Sequence, residues 1–327
     1  MYSHLANARH GIRRLPSNLH VIAVVFNPLR FLSRYNLYKE FADRAEAQGA
    51  TLWVVELAFG ARPFEIAVEG RPRNILFRSY QELWHKERMI NEAVSRLPSD
   101  WEYVAWVDAD ISFINDDWVH ETMQQLQHYS IVQMFTHAMD VGPNGEPREQ
   151  HQGFAFSHLL GNIALPRLNG VQSVGDGYYY ARYWHPGYGW AYRRNAWNVL
   201  GGMLDVNIVG GGDHQMSYGL IGKIEGTIPA NSTYHYEHAI RAWQTNALML
   251  KKNIGAVPGT VIHHFHGHKA KRGYVDRWKI LTENKFDPVT DIRSDWQRMW
   301  ELTGDKIRLR DELRAYFRLR QEDSIDL

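Results

Sequence analysis

Val21-Ile22-Ala23-Val24-Val25-Phe26 is an unbroken apolar run, mostly β-branched, and the segments that follow it decide the fold class. Leu37, Phe41 and Ala45 then recur at near-helical spacing, which predicts a helix over 34–47 ended by Gly49. A second apolar run occupies 51–57. Strand, helix and strand with continuous rather than alternating apolarity describe a sheet covered on both faces. Ser79-Tyr80-Gln81-Glu82 has the spacing of a capping box and predicts a helix carrying Leu83, Ile90, Val94 and Leu97, closed by Pro98. A strand at 103–107, a helix from Asp116 and Asp117 to 129 and a strand at 130–135 continue the alternation. The expected fold class is α/β, with a mostly parallel, alternately wound central sheet.

From 140 to 188 the chain is rich in Gly, Asn, Pro and Tyr, with a turn signal at Gly142-Pro143-Asn144-Gly145, and reads as long loops on the functional side of the sheet. A strand at 189–193, helices at 195–200 and 214–220 and a last buried strand at 261–265 follow. Beyond 273 the sequence turns charged, and Trp296, Met299, Trp300, Ile307, Leu309, Leu313 and Phe317 predict a helical appendix. The expected organisation is one domain over 1–272, with halves at about 18–135 and 136–272, and a helical extension over 273–327.

The 327 residues carry Lys+Arg 37 against Asp+Glu 36, a net charge of +1, so no bulk field recruits nucleic acid or lipid. The absence of cysteine excludes disulfides, thiolate nucleophiles and iron–sulfur ligation, and suits a reducing compartment. No apolar run approaches the roughly 20 residues that span a bilayer, and Arg9, Arg13 and Arg14 precede a run too short for a signal peptide, so the expectation is a cytoplasmic protein without a transmembrane segment. With 12 Trp, 17 Tyr and 13 Phe, the aromatic content exceeds what a core of this size needs, and rings lining a sugar or base site are expected. The motifs of P-loop hydrolysis, dinucleotide redox chemistry, serine acyl transfer and cysteine-zinc deamination are missing.

Four segments carry candidate chemistry. Asp108-Ala109-Asp110 follows the buried run Val104-Ala105-Trp106-Val107, placing two carboxylates at the carboxyl end of a strand, where open α/β sheets bind ligands. Converging acids call for a compensating cation, and hard oxygen ligands suit Mg²⁺ or Mn²⁺; a helix-capping pair is the competing account. His263-His264-Phe265-His266-Gly267-His268 ends the last strand, and alternation along an extended chain puts His264, His266 and His268 on one side, His263 on the other. One imidazole of this cluster is expected to join the acids on a metal. Gly210-Gly211-Gly212-Asp213-His214 runs into a helix, with Asp213 either a general base or a cap. Between Trp184 and Arg194, rings including Tyr188, Trp190 and Tyr192 alternate with glycines, and either stack on a substrate or pack in the core.

In this order the segments resemble a glycosyltransferase of the A-type (GT-A) fold, a single Rossmann-like domain that uses a metal-bound nucleotide-sugar donor. The matching residues are Asn27-Pro28-Leu29-Arg30 after the first strand, the stretch from Trp84 to Asn91, the Asp108-Ala109-Asp110 triplet, the Gly187 to Arg194 segment, Gly211-Gly212-Asp213 and the late histidines, spanning about 21–277. His266-Gly267, Arg272-Gly273-Tyr274 and Arg277 are similar to a pattern of bacterial and bacteriophage members.

The resemblance implies a metal-dependent glycosyltransferase (hexosyl- or pentosyltransferase), inverting, with Mn²⁺ or Mg²⁺ as cofactor and a nucleotide-diphosphate sugar as donor. It implies Asp110 as metal ligand, Asp108 on metal or donor ribose, and His266, with His264 the alternative, as the third ligand. It further implies Asn27, Arg30, Arg34, Lys86 and Asn91 on the donor. Tyr188, Trp190, Gly211 and Gly212 would border the acceptor, with Asp213 as base beside His214, which stands where many relatives have a second acid. The acceptor hydroxyl could belong to a glycan, lipid-linked glycan, protein or hydroxylated DNA base. Arg13, Arg14, Arg30, Arg34, Arg62, Arg71, Arg73 and Arg78 give the first part the basic excess that DNA would use, against the alternative of a solvated face. A metal-dependent phosphoesterase and a non-catalytic carbohydrate- or nucleotide-binding module are the rival classes.

Overall fold

The computed structural model describes residues 18–162, 184–274 and 276–325. The segments 1–17, with Arg9, Arg13 and Arg14, and 163–183, within the expected long loops, lie outside the described residues.

The chain runs through β1 (Leu19–Phe26), α1 (Leu32–Ala47), β2 (Thr51–Phe59), β3 (Asn74–Ser79), α2 (Lys86–Val94) and β4 (Tyr103–Val107). Next come β5 (Ile111–Phe113), α3 (Trp118–Gln125), β6 (Ile131–Gln133), β7 (His137–Val141), β8 (Pro147–Gly153) and α4 (Phe154–Leu159). β9 (Trp184–His185), β10 (Gly189–Arg193), α5 (Arg194–Leu200), α6 (Gly212–Leu220), α7 (Tyr234–Leu248), β11 (Ile254–Ala256) and β12 (Thr260–His263) follow. The last elements are α8 (Arg277–Glu283), β13 (Ile292–Ser294), β14 (Trp300–Leu302) and α9 (Ile307–Leu319).

Seven strands form the central sheet in the order β11-β6-β10-β4-β1-β2-β3. Every pairing in it is parallel except those of β10, which runs antiparallel to β4 and β6, so the α/β class with a mostly parallel sheet holds. The continuous apolarity of β1 has the cause the sequence suggested. Leu19, Val21, Ala23 and Val25 pack with Tyr38, Phe41 and Ala45 of α1 and with Trp118 and Met123 of α3, while Ile22 and Phe26 pack with Met89, Ile90 and Ala93 of α2 on the other face. Each such fully buried aliphatic side chain contributes about 1.5–3 kcal/mol.

A second sheet, β5-β12-β7-β8-β9, lies beyond the carboxyl end of β4. The chain leaves β4 for β5 through Asp108, Ala109 and Asp110, so the acidic triplet spans the junction of the sheets. β12 pairs His263 with Ile111 on one side and with Asp140 on the other, and this register brings the histidine segment beside the triplet.

Several expectations are corrected. Ser79 ends β3 and its hydroxyl bonds Gln81, so the apparent capping box is a turn and the helix starts at Lys86. The stretch after Asp140 is not all loop: β7 and β8 form a hairpin, and Gly142-Pro143-Asn144-Gly145 lies in its turn, with Gly145 at φ 78°. Met299 and Trp300 belong to the β13-β14 hairpin region rather than a helix, and Trp296 is exposed.

Leu309, Leu313, Tyr316 and Phe317 of α9 share the core of the α2 face. Residues beyond α9 return to α1, which has no N-cap bond of its own: Asp323 accepts from the backbone N–H groups of Leu32 and Ser33, both at 2.8 Å. The expected appendix thus packs directly on the sheet and tethers its first helix. Among the described residues no helix is long and apolar enough to cross a membrane.

Candidate active site

A cavity of about 650 Å³ opens at the carboxyl ends of β1 and β4, within the usual range for a small-molecule site. Asp108, Asp110, Lys86, Asp213, His214, His263, His266, Arg272 and Arg277 are among its lining residues.

Asp110 Oδ2 lies 2.8 Å from His266 Nε2 and 3.9 Å from His263 Nε2. These three side chains form a group able to hold a metal ion. Asp110 Oδ1 is buried without a hydrogen-bond partner. Burial alone would raise the Asp110 carboxyl, but His266, His263 and Arg272 hold it well below the ordinary carboxylate range.

Each imidazole is oriented from behind by a carboxylate. His263 Nδ1 is 2.6 Å from Asp140 Oδ1, and His266 Nδ1 is 3.4 Å from Glu322 Oε2, leaving each Nε2 toward Asp110. Burial pushes the His263 imidazole down to about 4, which keeps it neutral at physiological pH. Glu322 comes from the segment after α9; although burial would raise it, Arg34 and Arg320 hold its carboxyl far below the usual range.

His264 does not join this group. The strand ends at His263, so alternation stops there, and His264 Nε2 instead meets Ser112 Oγ at 2.5 Å. His263, which alternation puts on the opposite side from His264, His266 and His268, stands beside Asp110. The pairing of β12 with β5 carries that information, and a single sequence does not display it.

Asp108 is ion-paired with Lys86, whose ammonium also lies 4.2 Å from the centroid of Trp106. Burial raises the Asp108 carboxyl against the pull of Lys86, with Asp110 adding to the rise.

Asp213 lies in the first turn of α6, but α6 has no side-chain N-cap bond. Asp213 Oδ1 accepts from the His214 N–H at 2.8 Å, and a Cβ on Gly187 would come within 2.5 Å of Oδ2. His214 Nε2 is buried without a partner, and burial pushes this imidazole down to about 4.

Of the expected donor-side residues, Arg34 and Lys86 reach the cavity, whereas Asn27, Arg30 and Asn91 do not. Asn27 brackets Phe31, accepting from its N–H and donating to its C=O; Arg30 pairs with Glu65 at 2.5 Å; and Asn91 holds both backbone groups of Met203. On the acceptor side, Tyr188 and Gly211 border the cavity. Tyr188 stacks on His185 with centroids 3.7 Å apart and donates to Asp140. Trp190 is core, its indole N–H donating to the Pro186 carbonyl, and Gly212 makes room for Glu87, whose Oε1 would lie 2.8 Å from a Cβ there.

Sequence reasoning missed Glu87, His185, Trp278 and Arg320, all of which line the cavity. Burial raises the Glu87 carboxyl to about 8. Below about pH 4.5 folded and unfolded chains both hold this proton; between 4.5 and 8 only the folded chain does, so this group's contribution to stability falls as pH rises through that window. Glu87→Gln is neutral throughout, so its melting temperature should rise relative to wild type from pH 5 to pH 8, by the equivalent of about 1–4 kcal/mol. A difference that stays constant across that range would contradict the assignment.

No family model matches the sequence, and no curated protein matches it. Solved structures with a related chain path are a Drosophila β1,4-galactosyltransferase 7 complexed with manganese, UDP-Gal and xylobiose (12% identity, 88% of this chain and 95% of that one, TM-score 0.41), and a Desulfovibrio desulfuricans protein described as a nucleotide-diphospho-sugar transferase (12%, 93% and 98%, 0.32). Staphylococcus aureus TarS is similar over a shorter span (13%, 61% and 54%, 0.34).

Proposed function

We propose that the chain is a metal-dependent glycosyltransferase that moves a sugar from a nucleotide-diphosphate donor to a hydroxyl acceptor with inversion, Asp213 acting as general base. The observation that carries this reading is the convergence of Asp110, His263 and His266 at the carboxyl end of β4, in a cavity whose wall also bears Asp213.

The residues fit a divalent ion. Asp110 offers an unpartnered buried oxygen, Oδ1, while both imidazoles turn Nε2 toward its Oδ2 with carboxylates behind them. One carboxylate with two imidazoles suits Mn²⁺ better than Mg²⁺. Asp110, His263 and His266 would hold such an ion, which would supply Lewis-acid stabilisation of negative charge on a diphosphate leaving group. Arg272, which is buried and lines the same region, adds positive charge to that side. Lys86 holds Asp108 in place for a donor hydroxyl or the metal. Asp213 withdraws the acceptor proton as the acceptor oxygen attacks the anomeric carbon.

The rival readings find less support. A two-metal phosphoesterase would need the neighbouring group Asp140, Glu149 and His151, but Lys269 bonds Asp140 and stands 3.0 Å from Glu149, so that group already has its cation. A DNA acceptor loses much of its basic face: Arg30, Arg34 and Arg73 pair with Glu65, Glu322 and Glu46, and Arg78 donates to the carbonyls of Gly60 and Arg62. A binding module has no need of an oriented acid and two imidazoles.

A thermal-shift panel of nucleotide-sugars with and without Mn²⁺ tests the reading. A donor at about 100 times its Kd adds roughly 2.7 kcal/mol to the folded state, so one member should raise the melting temperature by about 5 °C, and only with the metal. Shifts indifferent to metal, or none across the panel, would contradict it.

A further inference from the structure

We infer that the cavity contains a second anion-binding subsite, built around Arg277 and distinct from the diphosphate side, which takes a carboxylate or phosphate carried by one of the two sugars. The identity of that ligand as a sugar rests on the glycosyl-transfer reading; the subsite itself rests on geometry.

The cations lining the cavity are otherwise engaged. Lys86 pairs with Asp108, Arg34 and Arg320 with Glu322, and Lys269 with Asp140 and Glu149. Arg272 donates to the Tyr274 hydroxyl at 3.1 Å and its Nη2 lies 3.0 Å from His266 Nε2, so although its Nε also lacks an acceptor it belongs to the metal group. Arg277 is 9% exposed and its guanidinium bonds the Tyr316 hydroxyl, yet among the described residues it has no carboxylate partner, and its Nε has no acceptor. Aromatic faces flank it, the Tyr274 centroid at 5.3 Å and that of Trp278 at 5.6 Å.

The backbone is shaped to admit this guanidinium. Gly210 and Gly211 have φ of 83° and 90°, and Cβ atoms there would come within 3.2 Å of Arg277 Nη1 and 2.9 Å of Nη2. The same Gly210 Cβ would lie 2.9 Å from the Trp84 ring, so the indole and the guanidinium flank one residue. Trp84 Nε1 and His214 Nε2 are also buried without partners. Two obligate donors and an imidazole thus line one wall, next to Asp213, and among the described residues neither Trp84 Nε1 nor Arg277 Nε has an acceptor.

A neutral sugar hydroxyl would satisfy the hydrogen bonds and leave the buried charge uncompensated. A carboxylate or phosphate satisfies both, and the planar fork of arginine matches its geometry.

The test compares glucuronate, glucose 6-phosphate and glucose as free ligands of the full chain by calorimetry or ligand-observed NMR, with UDP plus Mn²⁺ as the probe of the diphosphate side. Wild type should bind the two anions about tenfold more tightly than glucose, as expected for a charge-assisted bidentate contact. Arg277→Gln should lose that preference while its affinity for UDP–Mn²⁺ stays within about twofold; Arg277→Lys, which keeps charge without the fork, should fall between. A preference that survives saturation with UDP-glucose and Mn²⁺ assigns the anion to the acceptor, and one abolished by it assigns the anion to the transferred sugar. Equal wild-type affinities for all three sugars would overturn the inference whether or not the variants fold. So would a tenfold loss of UDP–Mn²⁺ affinity in Arg277→Gln, which would place the arginine on the diphosphate. Anion preference without any metal-dependent nucleotide binding would leave the subsite standing and remove the glycosyltransferase reading.

Discussion

Asp110→Asn is expected to lower Mn²⁺-dependent turnover by at least about 10³-fold, because it removes the one carboxylate of the proposed ligand set, and a metal supplies several kcal/mol of transition-state charge stabilisation. The substitution is nearly isosteric and leaves His266, 2.8 Å away, with a polar neighbour, so loss of turnover should come without loss of the fold. The histidines give an internal control. His263→Gln should weaken the apparent metal affinity by about 10- to 100-fold or more, whereas His264→Gln, whose parent ring bonds Ser112 outside the group, should leave it within about twofold. Steady-state rates over a Mn²⁺ titration read all three. Full turnover of Asp110→Asn in chelator, or a deficit confined to His264→Gln, would remove the metal from the mechanism.

The second large effect is expected at Asp213. Asp213→Asn should reduce kcat by about 10²- to 10⁴-fold while donor affinity stays within about twofold, since the carboxylate is assigned to the acceptor proton and not to the donor. Its Oδ1 already accepts a backbone N–H at the start of α6, and the amide oxygen of asparagine can keep that bond, so the helix should survive. Pre-steady-state rates with separately measured donor binding distinguish the outcomes. Loss of donor binding with kcat preserved would take Asp213 out of the base role and put it on the nucleotide-sugar.

Legibility in the sequence followed the source of each element's stability. β1 and β4 are buried on both faces, so their apolar runs announce them, and with them the position of the acidic triplet at a strand end. The second sheet was not announced. β7 and β8 are short and mostly polar, held by cross-strand bonds and by the Asp140 network rather than by an apolar stripe, so a single sequence reads as loop there. Helix α7 was legible and passed over: Tyr236, Ile240, Trp243 and Ala247 recur at helical spacing amid a polar surface.

The histidine cluster shows the limit most clearly. Its presence was visible, but which ring turns inward depends on where β12 stops and on the φ of 79° at Gly267, which redirects the chain. Glu322 was not readable at all as a site residue. It reaches His266 only through tertiary packing, after α9 has folded against the sheet. Asn27, Arg30 and Asn91 lie outside the cavity: their residue types suit a nucleotide, but local backbone groups and Glu65 engage their polar atoms.

The most direct test is pulsed electron paramagnetic resonance of the chain with one equivalent of Mn²⁺. The proposed ligand set predicts nitrogen couplings from two imidazoles. One should disappear in His263→Gln and the other in His266→Gln, both should persist in His264→Gln, and tight binding should be lost in Asp110→Asn. A Mn²⁺ spectrum without nitrogen couplings, or one unchanged by Asp110→Asn, would contradict the account.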